Sequence, residues 1–251
     1  MSPTSLVIIQ ILDGGAAMAL AILAIAVVAR TSSASGRLVL ALGLAVAGWY
    51  GLISGIAAAG GFGGSGGSDL GLALLGLSLL APLAGGAAAM LASSSIRRLI
   101  SKQDMQPGVI GMHSLRIIPG AVFLAMALLG VLPAAFAVPA GAGDILIGLI
   151  AASAATWLRS GHLVRVLAWN VLGVIDLVLA VTLGIMTSPG SPLAIGVIPT
   201  SSALLMPPLV VVPAFLVPFY LLLHMISLRY LALTRRPVEM SAAPNLQDLT
   251  T

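Results

Sequence analysis

The sequence predicts an all-α, polytopic membrane protein with seven transmembrane helices. Three observations predict it. The chain of 251 residues is 59% hydrophobic and 7% charged, with a mean hydropathy of +1.15. A water-soluble domain carries about 25% charged residues, so this chain lacks the polar side chains to cover a surface in water. Seven apolar runs of roughly 18 or more residues are long enough to cross a hydrocarbon core of ~30 Å. Finally, the basic residues all fall in every second link between those runs.

The first run, 6–29, is too long for a cleavable signal peptide and lacks a basic leader, so it reads as an anchor inserted N-terminus first. The others span 38–59, 70–93, 117–136, 140–158, 164–186 and 203–228. The links are short, and none could hold a soluble domain. The longest, 94–116, leaves room for an interfacial helix. The glycine-rich 60–68 reads as a flexible outer loop. Residues 1–236 therefore form one transmembrane domain, and the polar tail 237–251 reads as disordered.

The basic residues set the orientation. Arg30 and Arg37 lie between spans 1 and 2. Arg97, Arg98, Lys102 and Arg116 lie between spans 3 and 4, Arg159 and Arg165 between spans 5 and 6, and Arg229, Arg235 and Arg236 at or after the end of span 7. Positive charge marks the cytoplasmic side, which puts the N-terminus outside and the C-terminus in the cytoplasm. Trp157, Trp169 and Tyr230 are expected as interfacial rings at cytoplasmic span ends. This one-sided arrangement makes the net charge of +4 a topology signal, and nucleic acid is not expected as a partner.

Several chemistries are excluded. Cysteine is absent, so there is no disulfide, thiolate metal site or cysteine nucleophile. Retinal needs a lysine in the last span for its Schiff base, but Lys102 sits in a link. No metal-ligand spacing and no phosphate loop appear. Haem would need two facing histidines, or a histidine with a methionine; His113, His162 and His224 are all expected on or near the cytoplasmic side, with His224 alone plainly within a span, so haem is not the favoured reading. No cofactor is expected.

Ionisable groups within spans are costly and mark functional sites by default. Here they are Asp13, Asp144, Asp176 and His224, joined by the polar Asn170. At ~1.5 Å per residue, Asp144 is expected ~5 Å and Asp13 about 10 Å from the outer ends of their spans. Asp176 comes near the midplane, with Asn170 and His224 toward the inner side. Small residues at helical spacing turn these groups into the bundle. Gln10, Gly14, Ala17, Ala21 and Ala24 share a face with Asp13. Gly148, Ala151, Ala152 and Ala155 share one with Asp144, and Gly173, Ala180 and Gly184 with Asp176. A competing reading makes the aspartates simple hydrogen-bonding glue, each worth ~0.6–2 kcal/mol. Pro213 and Pro218 are expected to kink or break span 7 and free carbonyls, as at transport sites or at plain packing kinks.

The leading expectation is a small permease or channel-like protein in the lipid bilayer. A proton- or cation-linked path would run through Asp144, Asp13, Asp176, Asn170 and His224, with Arg116 or Arg165 at the inner mouth and a small solute or ion as cargo. A non-catalytic scaffold or assembly subunit is one alternative. The other starts from "GAGD", 141–144, which resembles the GxGD signature of intramembrane aspartyl proteases. That resemblance implies two carboxylates sharing a proton, with Asp176 or Asp13 as the second. The chain departs from it by lacking the family's Pro-Ala-Leu element and, in "GDILIG", the lysine of prepilin peptidases. Enzymatic activity is therefore not the favoured reading. "PAGAGDILIGLIA", "WNVLGVIDLVLAVTLG" and "PAFLVPFYLLLHMISLRYL" resemble stretches of uncharacterised bacterial multi-span membrane proteins. That resemblance covers 116–230 and implies a bacterial inner-membrane setting, but no site residues and no reaction.

Overall fold

The computed structural model describes residues 3–31, 35–63 and 69–234, and only the backbone of residues 3–7, 10, 11 and 69. Arg235, Arg236, the tail 237–251 and most of the glycine-rich loop lie outside the described residues, as does the side chain of Gln10. Among the described residues there is no strand. The helices are α1 (Pro3–Arg30), α2 (Gly36–Ala58), α3 (Asp69–Ala92), α4 (Ser94–Ile100), α5 (Gln106–Gly111), α6 (Ile117–Leu128), α7 (Ala134–Arg159), α8 (Leu163–Thr187) and α9 (Val217–Thr234). Seven stretches are long and apolar enough to cross a membrane. The fourth, Gln106–Leu128, joins α5 and α6 through a 3₁₀ turn, and the seventh, Val212–Thr234, opens with a π turn before α9. Leu44, Leu52, Leu77 and Leu91 are exposed on the outside of the bundle, a surface suited to lipid rather than water. The protein thus has the architecture of a multi-pass membrane protein.

α7 packs most closely, between α6 and α8, and α9 closes the group against α3, α5 and α8. α2 and α3 are the least buried spans. The main core runs through Leu20, Val109, Phe123, Ala137, Leu177 and Phe215. A second, smaller core gathers Ile110, Ala151, Val166, Trp169 and Leu231.

Three span boundaries differ from the sequence expectation, each for a local reason. The fourth span runs over 106–128 instead of 117–136. The apolar run continues past Leu128, but Gly130 takes φ +66 and Pro133 an extended backbone before α7, so the end of that run is a turn made of apolar residues. The span instead begins upstream and takes His113 and Arg116 into the bundle. The fifth span accordingly starts at Ala134, and Asp144 lies ten residues inside α7, about 15 Å at helical rise rather than 5 Å. The seventh span starts at Val212 rather than Ala203, behind a 3₁₀ turn at Ser201–Leu205. The link that leaves room for an interfacial helix holds the short helix α4, where the Ser93 hydroxyl accepts from Ile96 N–H at 3.3 Å and supplies the missing N-cap partner.

The proline signal in span 7 becomes a widened turn. Pro213 opens the π turn Val212–Leu216, and Pro218 is the second residue of α9. Val217 N–H reaches back five residues to Val212 O, and Val212 N–H donates to Leu209 O at 3.0 Å. A proline within a helix's first residues costs little, because those N–H groups have no helical acceptor.

Candidate functional site

The site is centred on Arg116, which is wholly buried. Arg116 ends the 3₁₀ turn Met112–Arg116. Pro119, two residues beyond Ile117, cannot donate to Leu115 O, and the Ile117 N–H turns to the Ser114 and Leu115 carbonyls instead. The tightened turn points the guanidinium at α7 and α8. Its Nε donates to Asp144 Oδ1 at 2.7 Å, and its Nη2 donates to Asp176 Oδ2. Nε and Nη2 form one edge of the planar fork, the edge a single carboxylate would take bidentately. Here two carboxylates from two helices share it.

The other side of the guanidinium faces aromatic rings. Nη1 lies 3.4 Å from His224 Nε2, and the Tyr220 ring centroid is 5.6 Å from the guanidinium carbon. His224 Nδ1 lies 3.0 Å from Asn170 Oδ1. The Asn170 Nδ2 donates to Val166 O at 2.9 Å and to Ser227 Oγ at 3.0 Å. A backbone carbonyl only accepts, so it fixes which end of the amide is nitrogen. Asn170 Oδ1 must then accept from His224 Nδ1–H, leaving Nε2 bare to accept from Arg116. The bonds run unbroken from Asp144 and Asp176 through Arg116, His224 and Asn170 to Ser227.

Small residues make room for this cluster. A Cβ added at Gly141 would lie 2.7 Å from Gly120 O, and one at Gly120 would lie 2.8 Å from Gly141 O, so α6 and α7 touch through these two glycines. A Cβ at Gly143 would overlap Asp176 Oδ1, and one at Gly173 would overlap the His224 ring. The "GAGD" stretch is thus a packing device. Gly141 brings α6 close, Gly143 leaves space for the neighbouring carboxylate, and Asp144 takes the guanidinium.

The positions differ from the sequence expectation in four ways. The stepped ladder is a cluster, with Asp144, Asp176, Asn170 and His224 gathered around Arg116. Arg116, expected at the inner mouth, is buried among them, because the fourth span begins upstream of it. Arg165 remains exposed at the start of α8 with its guanidinium 6.0 Å from the Trp157 ring centroid. Asp13 is buried, but both its oxygens lack a hydrogen-bond partner, and it joins neither the cluster nor any ion pair among the described residues. Trp169, expected at an interface, is buried. Its Nε1 donates to Ile147 O at 3.2 Å, because the shifted fourth span covers it with His113.

Three participants lay outside the expectation: His113, Tyr220 and Ser227. His113 is buried with both ring nitrogens unpartnered. Its ring centroid lies 4.1 Å from that of His224 and 5.0 Å from that of Trp169. Among the described residues no group of three His, Asp or Glu side chains could hold a metal ion. The cation at the centre of the site is the guanidinium.

Beside the cluster lies a cavity of about 290 Å³, lined mainly by apolar side chains of α3, α6, α7, α8 and the segment after α8, with Asp144 in its wall.

Residues 72–232 match the family described as a domain of unknown function, DUF8737. The chain belongs to that family. The DUF8737 segment takes in every member of the Arg116 cluster and leaves out Asp13 and all of α1 and α2. No curated protein and no solved structure matches the chain.

Proposed function

We propose that this is a small permease of the bacterial inner membrane in which one proton or monovalent cation is taken up and released at the Arg116–Asp144–Asp176 cluster. The observation that carries the reading is the charge count of a largely buried site: one guanidinium faces two carboxylates. A membrane interior penalises an unbalanced charge, so the excess negative charge calls for one more positive charge, which can come and go. The cavity beside Asp144 supports a route to the cluster, while His224 and Asn170 hold the guanidinium, which itself passes no proton, from its other side. Asp13 has no bond to this route, and the path is proposed without it. The orientation that fits is N-terminus outside and C-terminus cytoplasmic, from the one-sided basic links.

The test is proton flux in proteoliposomes under an imposed potential, read with an internal pH dye. Asp176→Asn should cut flux by at least about tenfold, the loss expected when the site's excess charge is removed. Unchanged flux in a folded Asp176→Asn protein overturns the reading.

A scaffold role is the second reading, favoured by the close α6–α7 contact through Gly120 and Gly141. It expects Asp176→Asn to lose folded protein rather than a flux. The aspartyl protease alternative has less support. A proton-sharing dyad needs two carboxylates turned to each other and to a water, whereas Asp144 and Asp176 both turn to one guanidinium.

A further inference from the structure

We propose that the cavity beside Asp144 binds a small organic monocation, an amine carrying a hydrocarbon body, with its ammonium on the free oxygen of Asp144. The proposal rests on the permease reading for its purpose, since it names that protein's solute class, but its test reads binding and needs no flux.

Three observations lead to it. The cavity, about 290 Å³, is close to the ~300 Å³ at which small-molecule pockets begin and is walled by Phe123, Phe136, Leu177, Val181 and Leu204. A wall of this kind stays dry or takes an apolar body rather than ordering water. Its polar groups are few, and the serines among them are occupied. Ser188 Oγ donates to Gly184 O at 2.8 Å and pairs with Ser201 Oγ at 3.0 Å, while Ser191 Oγ accepts from Leu193 N–H. Asp144 is different. The residue is 6% exposed, its Oδ1 is held by Arg116, and its Oδ2 has no hydrogen-bond partner among the described residues. A carboxylate oxygen accepts and cannot donate, so the complementary head group is a donor.

The charge count decides which donor. An alcohol would leave one cation against two carboxylates. An ammonium gives two against two and makes the enclosed site neutral. It also forms a charge-assisted bond, roughly twice as strong as a neutral one. A proton and the amine would then compete for the same excess negative charge, which is how exchange of one for the other would arise.

The experiment uses the full chain purified in dodecylmaltoside, with 2-phenylethylamine as probe and 2-phenylethanol as its neutral match. Binding is read by saturation-transfer NMR and by the shift in unfolding temperature. Partition into the micelle is common to all variants and cancels between them. The amine should bind at least about tenfold more tightly than the alcohol, as a charge-assisted contact implies. Asp144→Asn should remove that preference. Gly184→Leu should abolish amine binding while leaving the ion pairs alone. A Cβ there meets Phe136 at 3.7 Å and Leu204 at 4.0 Å, ordinary contacts, and the remaining carbons extend into the cavity. Equal binding of amine and alcohol, or amine binding that survives Gly184→Leu, overturns the proposal, as does absence of amine binding. Saturable amine binding in a protein that passes neither protons nor the amine upholds the site and removes the permease reading. Proton flux without amine binding does the reverse.

Discussion

Replacing Arg116 by methionine removes the cation that one buried and one part-buried carboxylate share, and the size of the effect can be worked out in advance. With charge centres about 4 Å apart and an effective dielectric of about 20, each Arg116–carboxylate attraction is worth roughly 4 kcal/mol, and the repulsion between the carboxylates about the same. Two attractions against one repulsion leave about 4 kcal/mol of net attraction. Without the guanidinium the repulsion stands alone, a change of about 8 kcal/mol, part of which is returned because Arg116 is no longer desolvated. Losing one partner of a buried pair costs about 3–5 kcal/mol in proteins generally, and that is the expected loss for Arg116→Met. In an Asp144→Asn/Asp176→Asn background the sign should change. Arg116 is there a buried charge with no counter-ion, so the same Arg116→Met replacement costs nothing or stabilises. Equilibrium unfolding in mixed dodecylmaltoside–SDS micelles, followed by tryptophan fluorescence, measures both limbs of this cycle. A coupling of at least about 3 kcal/mol is expected. An Arg116→Met cost that is the same in the two backgrounds refutes the electrostatic account and leaves Arg116 as packing.

Gly143→Ala places a methyl where Asp176 Oδ1 sits. It should cost about 1–3 kcal/mol, as overpacking does, with most of that recovered in an Asp176→Ala background; the same unfolding assay reads both. Asp13→Val removes two buried oxygens that have no partner. It should raise the unfolding midpoint, by about 1–3 kcal/mol of relieved desolvation, whereas a fall would mean that Asp13 has a partner. Tyr220→Phe deletes a buried hydroxyl that has no partner among the described residues and should be neutral or stabilising, by up to about 1–3 kcal/mol, through the same relief of desolvation. Tyr220→Leu also removes the ring beside Arg116 and should cost a further 0.5–2 kcal/mol or so; the difference between the two variants isolates the ring.

The helices were legible because lipid imposes length and apolarity directly on the sequence. The inward faces were legible through their small residues. Gly148, Ala151 and Ala155 lie buried on the Asp144 side, and Gly173 and Ala180 on the Asp176 side, while Ala152 of the same expected set is exposed. Depth was less legible. The Leu129–Leu132 turn is apolar enough to pass for helix, and that moved two spans along the chain. The error misplaced Arg116, because a basic residue outside a span reads as a topology marker at the inner mouth and not as the centre of a site. A signal for it did exist in the sequence. Three aspartates assigned to spans with no cation among them is a costly imbalance, and Arg116, directly before an apolar run and close to Pro119 and Gly120, was the nearest cation able to reduce it.

The same reasoning changes the meaning of "GAGD". Read as a motif, its aspartate asks for a second carboxylate to share a proton. Read as structure, Gly141 and Gly143 are spent before any chemistry begins, one on the approach of α6 and the other on the carboxylate of α8. The second carboxylate does arrive, but with Arg116 between it and a dyad. A guanidinium loses no proton at accessible pH, so it stays a fixed charge and cannot serve as the acid of a hydrolysis. It can hold two anions side by side in a place that would otherwise expel them, with room in their charge balance for one more cation. The cavity meets the cluster at Asp144, where that cation would bind.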